Sequence, residues 1–187
     1  LTSTTGISAI NIGGITIHSF AGIGIFDDPK CINLIVGGKY WGHLCGKIRG
    51  TKVVIIDEIS MLSAGTFSLI DLVFRAAKEV NEPFGGMKMI LSGDFLQLPP
   101  VCKTSTTSPW VFKSPSFWDL KAKLYNLSQI YRQNDIDDIL ALHNIRVGNV
   151  DQKTFDFFSK RVNARLDNPC AKFVSTNADA ERINHEA

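Results

Sequence analysis

The sequence predicts an α/β fold, a parallel sheet flanked by helices, and three observations predict it. Val53-Val54-Ile55-Ile56 is an unbroken β-branched run that ends in Asp57-Glu58. A second run, Met87-Lys88-Met89-Ile90-Leu91, ends in Ser92-Gly93-Asp94. Between them Leu62, Phe67, Leu69, Ile70, Val73, Phe74 and Ala77 recur close to helical spacing. Strands buried on both faces read as continuous apolar runs, and a helix between two such strands is the parallel crossover unit.

The remaining elements follow in order. Thr2 to Thr5 reads as the end of a strand, and Gly6 to Ile12 as a short helix stopped by Gly13-Gly14. Ile15 to Ser19 is strand-like, Asp27 to Ile48 mixes apolar residues with glycines and reads as helix, and Ser60 to Val80 is the amphipathic helix. Lys123 to Leu127 is a short strand that closes a first domain, residues 1–127. Residues 128–187 begin a second, with helices over Asp135 to Gly148 and Val150 to Val162. A strand over Ala171 to Ser175 then leads to Asn177 as the N-cap of a last helix. No repeat or low-complexity linker separates them.

Composition narrows the class. The 187 residues are 44% hydrophobic, enough for a core, and carry a net charge of +2, which permits nucleic-acid binding without requiring it. No stretch approaches the roughly 18 apolar residues of a membrane span, so no membrane partner is expected. Leu1 to Thr5 lacks the basic start of a signal peptide. Cys31, Cys45, Cys102 and Cys170 are scattered, without zinc-ligand spacing, and suit a reducing intracellular compartment. The Asn126-Leu127-Ser128 sequon lies at the end of an apolar stretch and reads as chance.

Chemistry concentrates where the two apolar strands end. Ligands of open α/β sheets bind at the carboxyl ends of strands. A carboxylate buried there needs a cation, and Mg²⁺ on a nucleotide is the usual one. Asp57 would hold that ion, and the neighbouring Glu58 could orient and deprotonate a water. The alternative is a strand running into a helix whose dipole favours the two acids. Gly93 permits a close backbone approach, Gln97 can donate and accept at a terminal phosphate, and Pro99-Pro100 stiffens the exit.

Five segments in order carry a specific resemblance: GITIHSFAGIG (Gly14 to Gly24), IIDEISML (Ile55 to Leu62), PFGG (Pro83 to Gly86), GDFLQLPPV (Gly93 to Val101) and YRQ (Tyr131 to Gln133). Together they resemble the petite-integration-frequency (Pif-type) DNA helicases, superfamily-one motors related to RecD, over nearly the whole chain. PFGG is the diagnostic segment, because an Asp-Glu pair alone is shared by many ATPases. The resemblance implies a RecA-like domain followed by the start of a second one. It also implies ATP and Mg²⁺ as cofactors and 5′→3′ movement on single-stranded DNA. Duplex unwinding and work at DNA junctions in repair, recombination or telomere maintenance come with it, as does a place in the nucleus or mitochondrion of a eukaryote or the cytoplasm of a bacterium or virus. It assigns Asp57 to Mg²⁺, Glu58 to the general base, Gln97 to coupling phosphate with DNA, and Arg132 to reaching the phosphates from the second domain. An isolated arginine is more often a surface residue, so the role of Arg132 rests on the resemblance.

For DNA, the resemblance points to Thr5, Thr16, His18, Ser19 and Phe20. Hydroxyls suit phosphate oxygens, and rings can stack on bases. On its own terms Phe20 is as readily a core residue. Trp110, Phe112, Phe117 and Trp118 read as packing rather than stacking, and Lys103, Lys113, Lys121 and Lys123 as solvated or phosphate-facing. Phe74-Arg75 replaces the family's usual Ala-Arg, and Arg75 reads as structural.

A phosphate-cradling loop requires Gly, four residues, then Gly-Lys-Ser/Thr. Gly38-Lys39 and Gly46-Lys47 both fail: Asn33 and Trp41 stand at the first position, and Tyr40 and Ile48 follow the lysines. The chain therefore reads as an internal piece of a longer helicase, inactive alone, with apolar edges bared on Val53 to Ile56. Two other readings remain, a single-stranded DNA-binding module without hydrolysis and a nucleotide switch without DNA.

Overall fold

The computed structural model describes residues 1–101, 110–162, 164 and 171–186, which leaves Cys102, Lys103 and Cys170 outside the described residues. The chain divides into two compact units, Leu1–Gln129 and Ile130–Ala187, two residues beyond the expected division at 127. The first unit is a four-stranded parallel sheet flanked by helices.

In chain order the first unit contains β1 (Thr2–Ser3), α1 (Gly6–Asn11), β2 (Ile15–Thr16), α2 (Ile17–Ala21), α3 (Ile32–Val36) and α4 (Trp41–Arg49). It continues with β3 (Val53–Asp57), α5 (Ala64–Lys78), β4 (Lys88–Leu91) and α6 (Pro115–Asp119). The strand order is β2-β1-β3-β4, all parallel, so every strand ends at the same side of the sheet. Pairing of Val53 with Lys88 through Ile56 with Leu91 aligns β3 with β4, and Ile56 and Asp57 face Thr2 and Ser3 across β1.

Three local expectations are corrected. Ile15 to Ser19 is not one strand: the Thr16 side chain accepts the Ser19 N–H at 3.2 Å, an N-cap that turns the chain into α2 after two strand residues. Asp27 to Ile48 is a 3₁₀ turn followed by α3 and α4, divided at Gly37-Gly38. Lys123 to Leu127 forms no strand; Leu124 and Leu127 are 91% and 93% exposed, because an apolar pattern without a neighbouring strand has nothing to pair with. The bare edges expected on Val53 to Ile56 are found on one side. β4 pairs along that whole stretch, whereas β1 reaches only Ile56 and Asp57, so Val53 to Ile55 face no strand there among the described residues and Val53 is exposed.

α5 organises the core. Phe67, Leu69, Ile70, Val73, Phe74 and Ala77 are fully buried on one of its faces, and Ser63 caps it by accepting the Thr66 N–H. One residue on that helix is buried and charged. The Asp71 carboxylate accepts from Arg75 Nε and Nη2 at 2.8 and 2.9 Å, from Ser116 Oγ at 2.8 Å, and from the Phe84 N–H at 2.6 Å. Arg75 is thus structural, as expected. Its guanidinium is pushed above its ordinary pKa chiefly by the hydrogen bond to Asp71, which keeps it charged.

Through Phe84, Asp71 controls the turn Pro83–Gly86, whose Phe84 and Gly85 have φ of 53° and 61°. A bulky residue in this left-handed region costs about 1–2 kcal/mol. Burial of the ring, 4.9 Å from Phe67 and 6.1 Å from Phe74, returns about 1.5–3 kcal/mol before the charged hydrogen bond is counted. Gly85 is obligatory, since a Cβ there would lie 2.7 Å from the Phe74 carbonyl oxygen. The turn delivers the chain directly into β4.

The second unit, described by itself, has α7 (Ile136–Arg146), α8 (Gln152–Ser159) and α9 (Asn177–Glu186). Asp135 caps α7 through the Asp137 and Asp138 N–H groups, and Asp151 caps α8. Residues 171–174 are not a strand, again for want of a partner among the described residues. The last cap is Thr176, which accepts the Asp179 N–H at 3.1 Å, and Asn177 is the first helical residue instead.

Removing one partner of a buried, hydrogen-bonded ion pair costs about 3–5 kcal/mol. Asp71→Ala should lower the urea unfolding free energy of the first unit by that amount. A loss below about 1 kcal/mol, the range of an ordinary surface pair, would contradict this role for Asp71.

Candidate nucleotide and DNA site

The parallel register brings Asp57, Glu58 and the loop that bears Gln97 to one edge of the sheet. Asp57 is the last residue of β3, and Glu58 follows with φ 56° and ψ 42°, a left-handed conformation for a non-glycine residue. That turn is held from β4: the Ile59 N–H donates to the Ser92 carbonyl at 2.9 Å. Gly93 lies so close that a Cβ would sit 2.9 Å from the Ile59 nitrogen. The close approach expected of Gly93 is therefore to the Glu58-Ile59 backbone.

The loop after β4 is folded on itself and anchored. Asp94 accepts the Leu96 N–H at 3.0 Å and the Gln97 Nε2 at 3.2 Å. Phe95 packs edge-on against Trp110 and Phe112, at 6.2 and 5.2 Å, and those two rings stack on each other at 5.7 Å. Phe117 packs on Phe67. Packing thus accounts for three of the four aromatics, while Trp118 is 67% exposed, with its Nε1 donating to the Phe112 carbonyl.

A cleft of about 240 Å³ opens between this loop and α1, lined by Thr5, Ser8, Asn11, Glu58, Met61 and Gln97 among others. Ser8 and Asn11 were not singled out in the sequence. Their signal was a polar stripe at spacing three, Thr5-Ser8-Asn11, on one face of a short helix. The Asp57 and Glu58 carboxylates are half-buried and carry no hydrogen bond or ion pair among the described residues. Adjacent carboxylates without a cation fit Mg²⁺, which takes one or two protein carboxylates and completes its shell with phosphates and water. No group of three metal-binding side chains occurs among the described residues, so such an ion would depend on the nucleotide.

The expected DNA residues divide. Thr5 and Thr16 use their oxygens as N-caps of α1 and α2, which leaves each hydroxyl proton available to a phosphate. Ser19 is exposed and His18 half-buried on α2. Burial lowers the His18 pKa, which favours the neutral imidazole. Phe20 is corrected: it is a core residue, buried and edge-on to Phe74 at 5.8 Å, because the helix that replaces the expected strand turns it inward. Arg132 is exposed in the second unit, three residues before the cap of α7.

Parallel strands ending in Asp57-Glu58 and in a Gln-bearing loop match a RecA-like domain. The PIF1-like helicase family profile matches residues 1–153, and the chain belongs to that family. The ATP-dependent DNA helicase PIF1 of Saccharomyces cerevisiae is 35% identical over 99% of this chain and 22% of its own length. The human protein of that name is 40% identical over 79% of this chain and 23% of its own. The chain thus spans less than a quarter of the length of these relatives. The crystal structure of Pif1 helicase from Candida albicans superposes with a TM-score of 0.86 at 33% identity, covering 99% of this chain and 42% of that one. Bacteroides Pif1 in complex with ADP-AlF3 and single-stranded DNA gives 0.85 at 29% identity, over 99% and 46%.

His18 generates a pH prediction. Its folded pKa lies below the unfolded 6.5, so the unfolded chain takes up a proton that the folded one resists. Stability should therefore fall as pH drops through 6.5. In His18→Asn the loss of urea midpoint between about pH 7.5 and pH 5 should be smaller than in wild type. An equal loss would show that burial of His18 has no energetic consequence.

Proposed function

We propose that this chain is the nucleotide-hydrolysing and DNA-contacting part of an ATP-dependent DNA helicase that moves 5′→3′ on single-stranded DNA and unwinds duplexes. The observation that carries the reading is the convergence of Thr5, Glu58 and Gln97 on one cleft, with Asp57 beside it at the end of β3. The names of the relatives support ATP dependence, and the Bacteroides complex supports binding of nucleotide and single-stranded DNA. Single strands and DNA junctions are the proposed substrates, and repair, recombination or telomere maintenance the setting. The nucleus or mitochondrion is the proposed place in a eukaryote, and the cytoplasm in a bacterium or virus.

In this mechanism Asp57 would hold Mg²⁺, which when bound would neutralise charge on the phosphates. Glu58 orients a water and takes its proton as the water attacks the terminal phosphorus, while the bond to the bridging oxygen breaks and ADP leaves. Gln97 lies across the cleft and contacts phosphate or water, and its loop leads back through Phe95 to the aromatic cluster. Arg132, from a unit that begins a second RecA-like domain, supplies a planar guanidinium for the charge on the transferring phosphoryl group. The backbone cradle for the triphosphate is not encoded in these 187 residues, so hydrolysis requires the full-length protein.

Glu58→Gln in the full-length protein tests the assignment. The amide keeps the shape but cannot accept a proton, so turnover should fall at least about a hundredfold while ATP and oligonucleotide affinities stay near wild type. Parallel loss of binding and turnover would make Glu58 a structural residue.

A further inference from the structure

A second cavity, a groove of about 430 Å³, lies away from the nucleotide cleft, between α2, α3 and α4. Ser19 lines one wall, and Lys39, Tyr40, Trp41, His43 and Lys47 line the other. Tyr40, His43 and Lys47 are spaced by three and four residues, so they share one face at the start and along the length of α4. The Tyr40 ring is 76% exposed, an uncommon position for so large an apolar surface.

The charge in the groove has one sign. No aspartate or glutamate lines it, whereas Lys39 and Lys47 do. Lys39 Nζ stands 5.7 Å from the centre of the Tyr40 ring, and Lys47 Nζ stands 4.7 Å from that of Phe20. Among the described residues neither ammonium pairs with a carboxylate; Lys39 stands beside the exposed Tyr40 ring and Lys47 over the buried Phe20 ring. An exposed ring with lysines nearby offers the elements of single-strand recognition: a base stacks on the ring, here Tyr40, since Phe20 is buried, and phosphates meet the cations. Ser19 belongs both to this groove and to the α2 face assigned above to DNA, so the two surfaces are continuous.

We propose that the α2–α4 groove binds single-stranded DNA, with one base stacked on Tyr40 and the neighbouring phosphates held by Lys39 and Lys47. The proposal rests on the reading of the protein as a single-stranded DNA motor and adds to it a contact surface beyond Thr16 to Ser19. Base stacking is sequence-tolerant, so a contact centred on the Tyr40 ring serves any sequence.

The test is fluorescence anisotropy of a labelled oligothymidylate titrated with full-length protein at several salt concentrations. Tyr40→Ala should weaken binding at least about fivefold, and Tyr40→Phe, which keeps the ring, should bind within about twofold of wild type. Lys39→Ala with Lys47→Ala should reduce the slope of log affinity against log salt by about 1.4, the share of two phosphate contacts on a single strand. Wild-type affinity and slope in all these variants would overturn the groove while leaving the motor reading intact. Failure of the wild-type protein to bind oligothymidylate would overturn both. Should Tyr40→Ala fail to fold, photocrosslinking of wild type to an iododeoxyuridine oligonucleotide decides instead. Adducts at Tyr40 or Trp41 support the groove, and adducts confined to other segments refute it.

Discussion

The register between β3 and β4 is the constraint on which the rest of the first unit depends. The candidate chemistry starts at the last residue of β3, Asp57, and after the end of β4, so a slip of one residue would move Asp94 and Gln97 away from Glu58. The slip is prevented from outside the sheet. The Asp71 carboxylate on α5 fixes the Phe84 N–H, Phe84 is wedged between Phe67 and Phe74, and Gly85 tucks beneath the Phe74 carbonyl. Lys88 then enters the sheet opposite Val53. A buried ion pair is in general weak evidence for stability. Here its value is positional, because the same carboxylate bonds a side-chain cation, a hydroxyl and a backbone N–H from three separate segments.

The far ends of the two strands hold each other in a second place. Glu58 adopts a left-handed conformation, of the kind that persists at functional sites when the surroundings over-determine it. The Ile59 bond to Ser92 and the close approach of Gly93 supply that determination. The loop bearing Gln97 is in turn anchored by Phe95 on Trp110 and Phe112. A displacement at Gln97 is therefore linked to the aromatic cluster on one side and to the Glu58 turn on the other. Such links suit a site where a small change at the phosphate must be transmitted to a bound strand.

Much of this was legible in the sequence, and the failures have physical causes. The two apolar runs identified β3 and β4 as the expectation of parallel strands buried on both faces suggested, although burial alternates along both and Val53 and Ile90 are exposed. The α5 periodicity was readable because one face had to be buried. Ile15 to Ser19 misled because β-branched residues suggested a strand, while the decisive signal was the single hydroxyl of Thr16 capping a helix. Lys123 to Leu127 and Ala171 to Ser175 misled because pairing is a property of two segments and the pattern of one cannot supply it. Phe20 became a core residue as a consequence of the helix at Ile17–Ala21. The positions of Asp57, Glu58 and Gln97 at or just past the strand ends were readable from type and order, but Ser8 and Asn11 enter the cleft only through the placement of α1. The roles of Asp71 in holding Arg75, Phe84 and Ser116 were hidden because its partners lie up to 45 residues away in the chain.

The central claim is that the loop after β4 couples the nucleotide cleft to DNA, and Gln97 tests it most directly. The measurement is the ratio of steady-state ATP hydrolysis with and without saturating oligothymidylate, for full-length wild type and for Gln97→Ala. If the loop couples the two ligands, the stimulation should fall at least about tenfold while separate titrations still show nucleotide and oligonucleotide binding. Stimulation equal to that of wild type would place the coupling elsewhere and contradict the account.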